Sequence, residues 1–187
     1  MGLERVDLVG HSLGGAVAAD LAATRHERVR RLVLVAPAGI PCGRGLHGRA
    51  LSLLGALYAI RDSVPMVASD ALRTGPLGLA RGIAFVSNRD VRAELSAVRM
   101  PTLLVWGERD HLVPAWLAEE WHRALPRSRV VLVPGGHVPM LEAPAELADS
   151  IISFLAEQVE DDLRDEPGAR VVDRVRLAGN HDESTAR

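Results

Sequence analysis

Four short apolar runs constrain the fold of this chain most strongly, because none of them alternates regularly between apolar and polar positions. They lie at residues 5–9 (RVDLV), 31–35 (RLVLV), 102–106 (TLLVW) and 129–133 (RVVLV). Strands that are buried on both faces of a parallel sheet have this composition. Helical patterns separate the runs, at 13–25, 115–125 and 144–158. This alternation predicts an α/β protein with a mostly parallel sheet, flanking helices and right-handed crossovers.

The order of these elements divides the chain into a core, an insertion and a tail. Residues 1–36 and 99–158 carry the predicted core, and residues 37–98 separate its second strand from its third. A connection of this length is more typical of a small helical cap than of a structureless loop, and helices are predicted in it near 50–60 and around 76–86. The charged composition of 159–187 predicts a mostly disordered tail, in which RVVDRVRLA is also compatible with one strand.

The charge balance argues against a nucleic-acid or membrane-surface function. The 187 residues include 22 basic and 24 acidic side chains, and no basic stripe is visible. No apolar run approaches the roughly 18 residues of a membrane span, and the charged residues Glu4, Arg5 and Asp7 replace the apolar block of a signal peptide. A single cysteine, Cys42, excludes an intrachain disulfide. We therefore expect a cytoplasmic protein with no nucleic-acid partner and no membrane span.

The corner after the first predicted strand holds a serine between two glycines. The segment GHSLG places Ser12 between Gly10 and Gly14, which matches the G-x-S-x-G nucleophile elbow. A strand that turns this sharply into a helix crowds its own backbone, so we expect both glycines to be sterically required and the serine to be strained. The backbone N–H of Leu13, in the first helical turn, is expected to stabilise an oxyanion. Ser12 is the candidate nucleophile.

Two partners for this serine follow the third and fourth predicted strands. A serine hydroxyl needs an imidazole to accept its proton and a carboxylate to fix the imidazole tautomer. Asp110 lies in GERDHLVP and His137 in PGGHVPM, so both follow a strand's carboxyl end. Parallel strands end at one edge of the sheet, where we expect these side chains to meet Ser12. The order Ser, Asp, His is that of the elbow motif, and Glu108 is the nearest competitor for the carboxylate role.

The remaining histidines and the tryptophans are interpreted as structural. His11 and His111 adjoin the candidate residues, and we expect them to support or pack against those residues. The other four histidines show no metal-ligand spacing and are expected at the surface: His26, His47, His122 and His181. The tryptophans are expected in the core or in pocket walls: Trp106, Trp116 and Trp121. No metal site is expected.

Together these segments make the chain resemble the C-terminal part of an α/β-hydrolase fold protein, that is, a partial α/β-hydrolase fold. The matching segments cover roughly residues 1–158 and are GHSLGG, VRRLVLVAPAG, PTLLVWGERDHLVP and GGHVPMLEAPAELADSIISFL. The resemblance implies Ser12 as nucleophile, His137 as general base and Asp110 as the acid that orients the base. It also implies that residues 37–98 form a lid, that no cofactor is used, and that the substrate is a small ester-like molecule.

The chain departs from that family at its beginning. Four residues precede the first predicted strand, where the resembled fold has four further strands and a His-Gly loop that donates the second oxyanion N–H. We expect a truncated hydrolase with Leu13 as its one oxyanion donor and with weak or no activity alone. Without a neighbouring strand, residues 5–9 form an apolar edge that favours self-association or pairing with another chain.

Two functions from different classes stay open at this point. The first is a serine hydrolase that cleaves esters through an acyl-enzyme, and a carbon–carbon bond hydrolase or a perhydrolase would share the same residues. Dehalogenases and epoxide hydrolases of this fold are disfavoured, because they place an aspartate where this chain has Ser12. The second is a non-catalytic remnant or interaction module that retains these residues without a competent site.

Overall fold

A five-stranded parallel sheet organises the chain. The computed structural model describes residues 4–41, 75, 77, 78, 81, 90–157 and 172–173. Its strands follow one another across the sheet in chain order: β1 (Val6–His11), β2 (Val29–Val35), β3 (Thr102–Gly107), β4 (Ser128–Val133) and β5 (Val172–Asp173). All neighbouring pairs run parallel. The predicted α/β class is confirmed, and the first four strands lie where the apolar runs placed them.

Helices connect the strands. The first half contains α1 (Ser12–Thr24) and a 3-10 turn (His26–Arg28), and β3 is preceded by α2 (Arg92–Leu95). The second half contains α3 (Leu117–Ala124), α4 (Pro139–Glu142) and α5 (Pro144–Ala156), which begins with a proline in its first turn as predicted. The three longer helices agree with the sequence patterns. The helices α2 and α4 were not predicted, because four residues are too few to show a helical period.

The central strands are covered on both faces, which explains the missing alternation. On one face, buried residues of α1, α2 and α3 contact four strand side chains, two from β2 and two from β3: Leu32, Leu34, Leu104 and Trp106. On the other face, Leu147 and Phe154 of α5 contact four further strand side chains, again two from each strand: Val33, Val35, Leu103 and Val105. Neighbouring positions of β2 and β3 therefore enter two different cores, and both kinds of position must be apolar.

A buried arginine fastens α5 to the sheet. Arg31 is 4% exposed although it lies inside one of the apolar runs. Its guanidinium donates hydrogen bonds to the carbonyl oxygen of Leu155 at 2.5 Å and to that of Glu157. The last carbonyl oxygens of a helix receive no hydrogen bond from within the helix, so they need an outside donor. A cation at this end also interacts favourably with the helix dipole. The pairing explains why a charged residue can occupy this strand position.

Strand β1 is one of the two edge strands of the sheet within the described residues. It pairs with β2, and its Val9 side chain is 50% exposed. On α1, which follows it, Val17 is 55% exposed and Leu21 is 43% exposed. Leu13, Val17 and Leu21 recur at four-residue intervals and so expose apolar side chains on one side of α1. Val9 pairs with Val33, whose side chain packs in the core on the face of the sheet away from α1. Separately, none of the helices in the described ranges is long and apolar enough to cross a bilayer.

Most of the predicted cap and tail lies outside the described residues. Of the cap, the structure describes the two ends and four helical positions, which are 75, 77, 78 and 81. Strand β5 falls in the tail segment that was compatible with a strand. The helix predicted near 50–60 lies outside the described residues, as do three residues discussed above: Cys42, His47 and His181.

Candidate active site

Strand β1 turns into helix α1 at Ser12, which adopts a positive φ of 51°. A residue with a Cβ rarely adopts this conformation, and holding it costs of order 1–3 kcal/mol. The carbonyl oxygen of Ser12 accepts a hydrogen bond from the N–H of Ala38 at 2.9 Å. The corner is therefore strained as expected, and it is tied to the segment that follows β2.

The glycines around this corner differ in what they contact. A Cβ on Gly10 would lie 2.6 Å from the carbonyl oxygen of Gly14 and 2.7 Å from the Cβ of Ala18, so the expected need for glycine there is confirmed. A Cβ on Gly14 would meet no described atom within 4 Å, so the same expectation is wrong for Gly14. The second crowded position is Gly15, whose Cβ would lie 2.7 Å from the Cβ of Pro37. Close packing of α1 on the segment after β2 sets this requirement.

Asp110 lies in the turn after β3 and is 4% exposed. Its Oδ1 accepts hydrogen bonds from the N–H groups of Leu112 and Val113, both at 2.9 Å. The indole N–H of Trp106 donates to the carbonyl oxygen of Val113 at 2.8 Å and supports the turn from the core. Because Oδ1 accepts both of these hydrogen bonds, Oδ2 is the oxygen that is left to accept from another side chain.

His137 connects this carboxylate to the serine. Its Nδ1 lies 2.8 Å from Oδ2 of Asp110, and its Nε2 lies 3.0 Å from Oγ of Ser12. An ionised carboxylate only accepts hydrogen bonds, so Nδ1 carries the proton and the neutral ring presents its Nε2 lone pair to the hydroxyl. The structure thus brings the three candidate residues into one hydrogen-bonded chain, whereas the side chain of the competitor Glu108 is exposed.

Tight backbone packing holds the loop that carries His137. Gly135 adopts a positive φ of 107°. A Cβ on Gly107, at the end of β3, would lie only 2.0 Å from the carbonyl oxygen of Gly136. The carboxylate of Glu142 accepts hydrogen bonds from the N–H of Gly136 at 2.6 Å and from that of Val138 at 3.2 Å. Glu142 was not predicted from the sequence. The feature that could have identified it is an acidic residue shortly after His137.

The residues beside the candidate site have mixed outcomes. His11 supports the site, because its Nε2 lies 2.8 Å from the carbonyl oxygen of His137. Burial lowers the pKa of His11, and this is the largest influence on it. His122 is partly buried and bonds Ser128 at 2.8 Å, so its expected surface role is wrong. Trp106 and Trp121 are fully buried, whereas Trp116 is 54% exposed and is not a core residue.

Leu13 lies in the first turn of α1, where backbone N–H groups have no acceptor within the helix. This is the position expected of an oxyanion donor beside Ser12. No group of three or more histidine, cysteine, aspartate or glutamate side chains in the described part of the chain is arranged to hold a metal ion. The groups that the described residues bring together at the site are a hydroxyl, an imidazole, a carboxylate and backbone N–H groups.

Comparison with known proteins places the chain in the alpha/beta hydrolase family, whose sequence profile matches residues 2–150. The chain belongs to this family, and the resemblance drawn from its motifs is confirmed. The fold agrees, since the chain superimposes on a solved hydrolase from Pseudomonas aeruginosa PA01 with a TM-score of 0.62. That superposition covers 83% of this chain and 66% of the other, at 26% sequence identity.

Among curated relatives, the chain is similar to the pimeloyl-[acyl-carrier protein] methyl ester esterase of Nitrosomonas europaea. The two are 33% identical over 174 residues, which cover 76% of this chain and 68% of the esterase. It is also similar to the dihydrolipoyllysine-residue acetyltransferase component of the acetoin cleaving system of Pseudomonas putida, at 28% identity over 82% of this chain and 46% of the relative. The chain thus spans about half to two thirds of the length of these relatives.

Proposed function

We propose that this chain is a serine hydrolase that cleaves a small carboxylic ester through a covalent acyl-enzyme on Ser12. The observation that carries the proposal is the continuous hydrogen-bonded chain from Ser12 through His137 to Asp110, with donor–acceptor distances of 3.0 Å and 2.8 Å. Both distances are within hydrogen-bond reach, and the one between Ser12 and His137 is short enough for direct proton transfer. The three residues come from separate corners after β1, β3 and β4, so their meeting is a property of the folded sheet.

In the proposed reaction, Oγ of Ser12 attacks the ester carbonyl as its proton passes to Nε2 of His137. The negative charge that develops on the carbonyl oxygen is stabilised by the backbone N–H of Leu13. His137 then gives its proton to the leaving alcohol as the ester C–O bond breaks. Water, deprotonated by His137, attacks the acyl carbon. The bond between the acyl carbon and Oγ then breaks as His137 returns the proton to Oγ, which releases the acid and regenerates the serine hydroxyl. Asp110 holds the imidazole tautomer throughout and remains ionised.

The relatives favour an ester as substrate but do not define which one. One relative is named as a methyl ester esterase, which uses the same reaction class. Another, at similar identity, is named as a transferase component. Relatives of one fold carry different chemistries, so the acyl and alcohol parts of the substrate are not transferred by fold alone. We therefore propose ester hydrolysis as the reaction class and a small ester as the substrate class.

A non-catalytic interaction module is the second candidate, and one observation favours it. Exposed apolar residues occur on both β1 and α1, where Val9, Val17 and Leu21 are 43–55% exposed. Exposed apolar surface of this kind often marks a contact with another polypeptide. A module of this type would keep the hydrogen-bonded chain without turning over substrate.

Labelling with a fluorophosphonate probe separates the two candidates. The reagent reacts covalently with a serine that a neighbouring base activates, so we expect the hydrolase to be labelled at Ser12. Ser12→Ala and His137→Ala should each abolish labelling, whereas Ser96→Ala, which removes an exposed serine hydroxyl of the same kind, should leave it intact. Labelling that persists without His137 would contradict its role as base, and absence of labelling in the wild-type chain would favour the interaction module.

We expect the turnover of a simple chromogenic ester to be low in the chain as given. The one oxyanion donor that we assign within the described residues is Leu13, and removing one of two donors costs about 10²–10³ in kcat in a well-studied protease. The turnover number should then lie well below the ordinary value of about 10 s⁻¹. A turnover number near that value would show that a second donor completes the oxyanion hole.

A further inference from the structure

The peptide group between His137 and Val138 is held at both of its polar atoms. Its carbonyl oxygen lies 2.8 Å from Nε2 of His11, and its N–H donates to Oε1 of Glu142 at 3.2 Å. The described residues contain no cis peptide bond, and in a trans peptide the C=O and N–H point in opposite directions. His11 and Glu142 therefore hold this peptide group from opposite sides.

The carboxylate of Glu142 also holds the other side of His137. Its Oε2 accepts the N–H of Gly136 at 2.6 Å, so one carboxylate contacts the backbone before and after the histidine. This approach is close, because a Cβ on Gly135 would lie 2.8 Å from the Cβ of Glu142. The loop can rotate at His137 only if at least one of these hydrogen bonds breaks.

The tautomer of His11 follows from its partner. A carbonyl oxygen only accepts hydrogen bonds, so Nε2 of His11 carries the proton. His137 carries its proton on Nδ1, because that atom faces the carboxylate of Asp110. The two imidazole rings, whose centroids are 4.9 Å apart, therefore hold opposite tautomers. Burial lowers the pKa of His11 and favours its neutral form. His11 therefore places no second positive charge beside His137 when that ring accepts the serine proton.

We propose that His11 and Glu142 are positioning residues, which fix the backbone at His137 so that its imidazole reaches both Ser12 and Asp110. His11 has the further property of preceding the candidate nucleophile directly in sequence. Its hydrogen bond therefore joins the corner that carries Ser12 to the loop that carries His137, across 126 residues of chain. The kinetic consequence of this inference rests on the proposed hydrolase function, whereas its structural consequence does not.

The kinetic test uses conservative and non-conservative variants of both residues. His11→Phe keeps a ring but removes the donor, and His11→Gln keeps an N–H near the position of Nε2. We expect His11→Phe to lower the rate of fluorophosphonate labelling about tenfold, and His11→Gln to restore most of that rate. Glu142→Ala should have an effect at least as large, because it removes two acceptors, and Glu142→Gln an intermediate one. KM for a small chromogenic ester should change little, because neither residue is placed against substrate.

Matched controls exclude a general effect of the substitutions. His26→Phe makes the same change at a histidine whose side chain is 55% exposed, and Glu94→Ala removes an exposed carboxylate on α2. Both control variants should be labelled at the wild-type rate. His11→Phe and Glu142→Ala that remain folded and are also labelled at the wild-type rate would overturn the proposal.

A second measurement needs no turnover. Long-range nitrogen–proton NMR correlations report the tautomer of each imidazole, and we expect Nε2–H for His11 and Nδ1–H for His137 in the full chain. In His11→Phe, the Nδ1–H signal of His137 should broaden or exchange with solvent, and in His11→Gln it should persist. If the chain is not labelled at all but these signals behave as expected, the hydrolase proposal fails and the positioning role stands. If the His137 signal is unaffected in His11→Phe, the positioning role fails.

Discussion

Replacing Gly107 with alanine should move His137 without removing any polar group from the site. A Cβ on Gly107 would lie 2.0 Å from the carbonyl oxygen of Gly136 and 2.8 Å from that of Gly135. Real Cβ atoms essentially never approach another atom closer than 3.0 Å. The loop and the end of β3 must therefore separate by about 1 Å, the difference between 3.0 Å and 2.0 Å.

The size of the effect follows from that displacement. The Nε2–Oγ distance between His137 and Ser12 is 3.0 Å, so a shift of this size in the loop places the imidazole outside productive reach. A misplacement of about 1 Å can cost about 10² in rate. We expect Gly107→Ala to lower the rate of fluorophosphonate labelling about 10²-fold, with little change in KM for a small ester.

The assay is a time course of probe labelling, with urea unfolding and circular dichroism to show that the variant is folded. Gly14→Ala is the matched control for a glycine-to-alanine change in the folded chain, because its added Cβ meets no described atom within 4 Å. Its free energy of unfolding should equal or exceed that of the wild type. A folded Gly107→Ala variant that is labelled at the wild-type rate would refute the view that packing on β3 sets the position of His137.

Four further predictions concern the site, the corner, the pH dependence of stability and the sheet edge. Asp110→Asn should lower the labelling rate by about 10⁴, because the amide no longer selects the Nδ1–H tautomer; an unchanged rate would contradict its orienting role. Gly15→Ala should lower the free energy of unfolding in urea by about 1–3 kcal/mol through overcrowding. Burial lowers the pKa of His11, so the stability that neutral His11 contributes is fully present above about pH 6.5 and is lost as the pH falls through the folded-state pKa. His11→Gln should therefore lose less free energy of unfolding than the wild type between pH 8 and pH 5. The chain should self-associate through the edge of β1 and the exposed apolar residues beside it, and light scattering that shows a stable monomer would contradict this.

The sheet could be predicted from sequence because its signal is local and repeated. Each of β2 and β3 enters two cores, so nearly every residue of these strands had to be apolar, and the runs mark them directly. The buried charged residue of β2, Arg31, is satisfied by carbonyl groups more than a hundred positions away, which no local pattern indicates. The short helices α2 and α4 carry too few residues to show a period.

The candidate site was predictable to the extent that fold topology determines it. Strand ends meet at one edge of a parallel sheet, so the meeting of Ser12, Asp110 and His137 could be predicted from the elbow motif together with the strands that these residues follow. The supporting contacts could not, because they depend on distances between backbone segments. Gly15 rather than Gly14 is crowded because of how α1 packs on the segment after β2, and Glu142 acts through a loop conformation that the sequence does not show.

The edge position of β1 also means that the three candidate residues differ in the local stability of their supports. Asp110 and His137 follow interior strands, whereas Ser12 follows a strand whose outer side is partly exposed. Segments with fewer buried contacts open at lower free energy than the rest of a domain. Opening of β1 and α1 would break the hydrogen bonds of Ser12 with Ala38 and of His11 with His137 while β2, β3 and β4 stay intact. On gradual heating, the serine should therefore separate from its base before the interior strands exchange their amide protons.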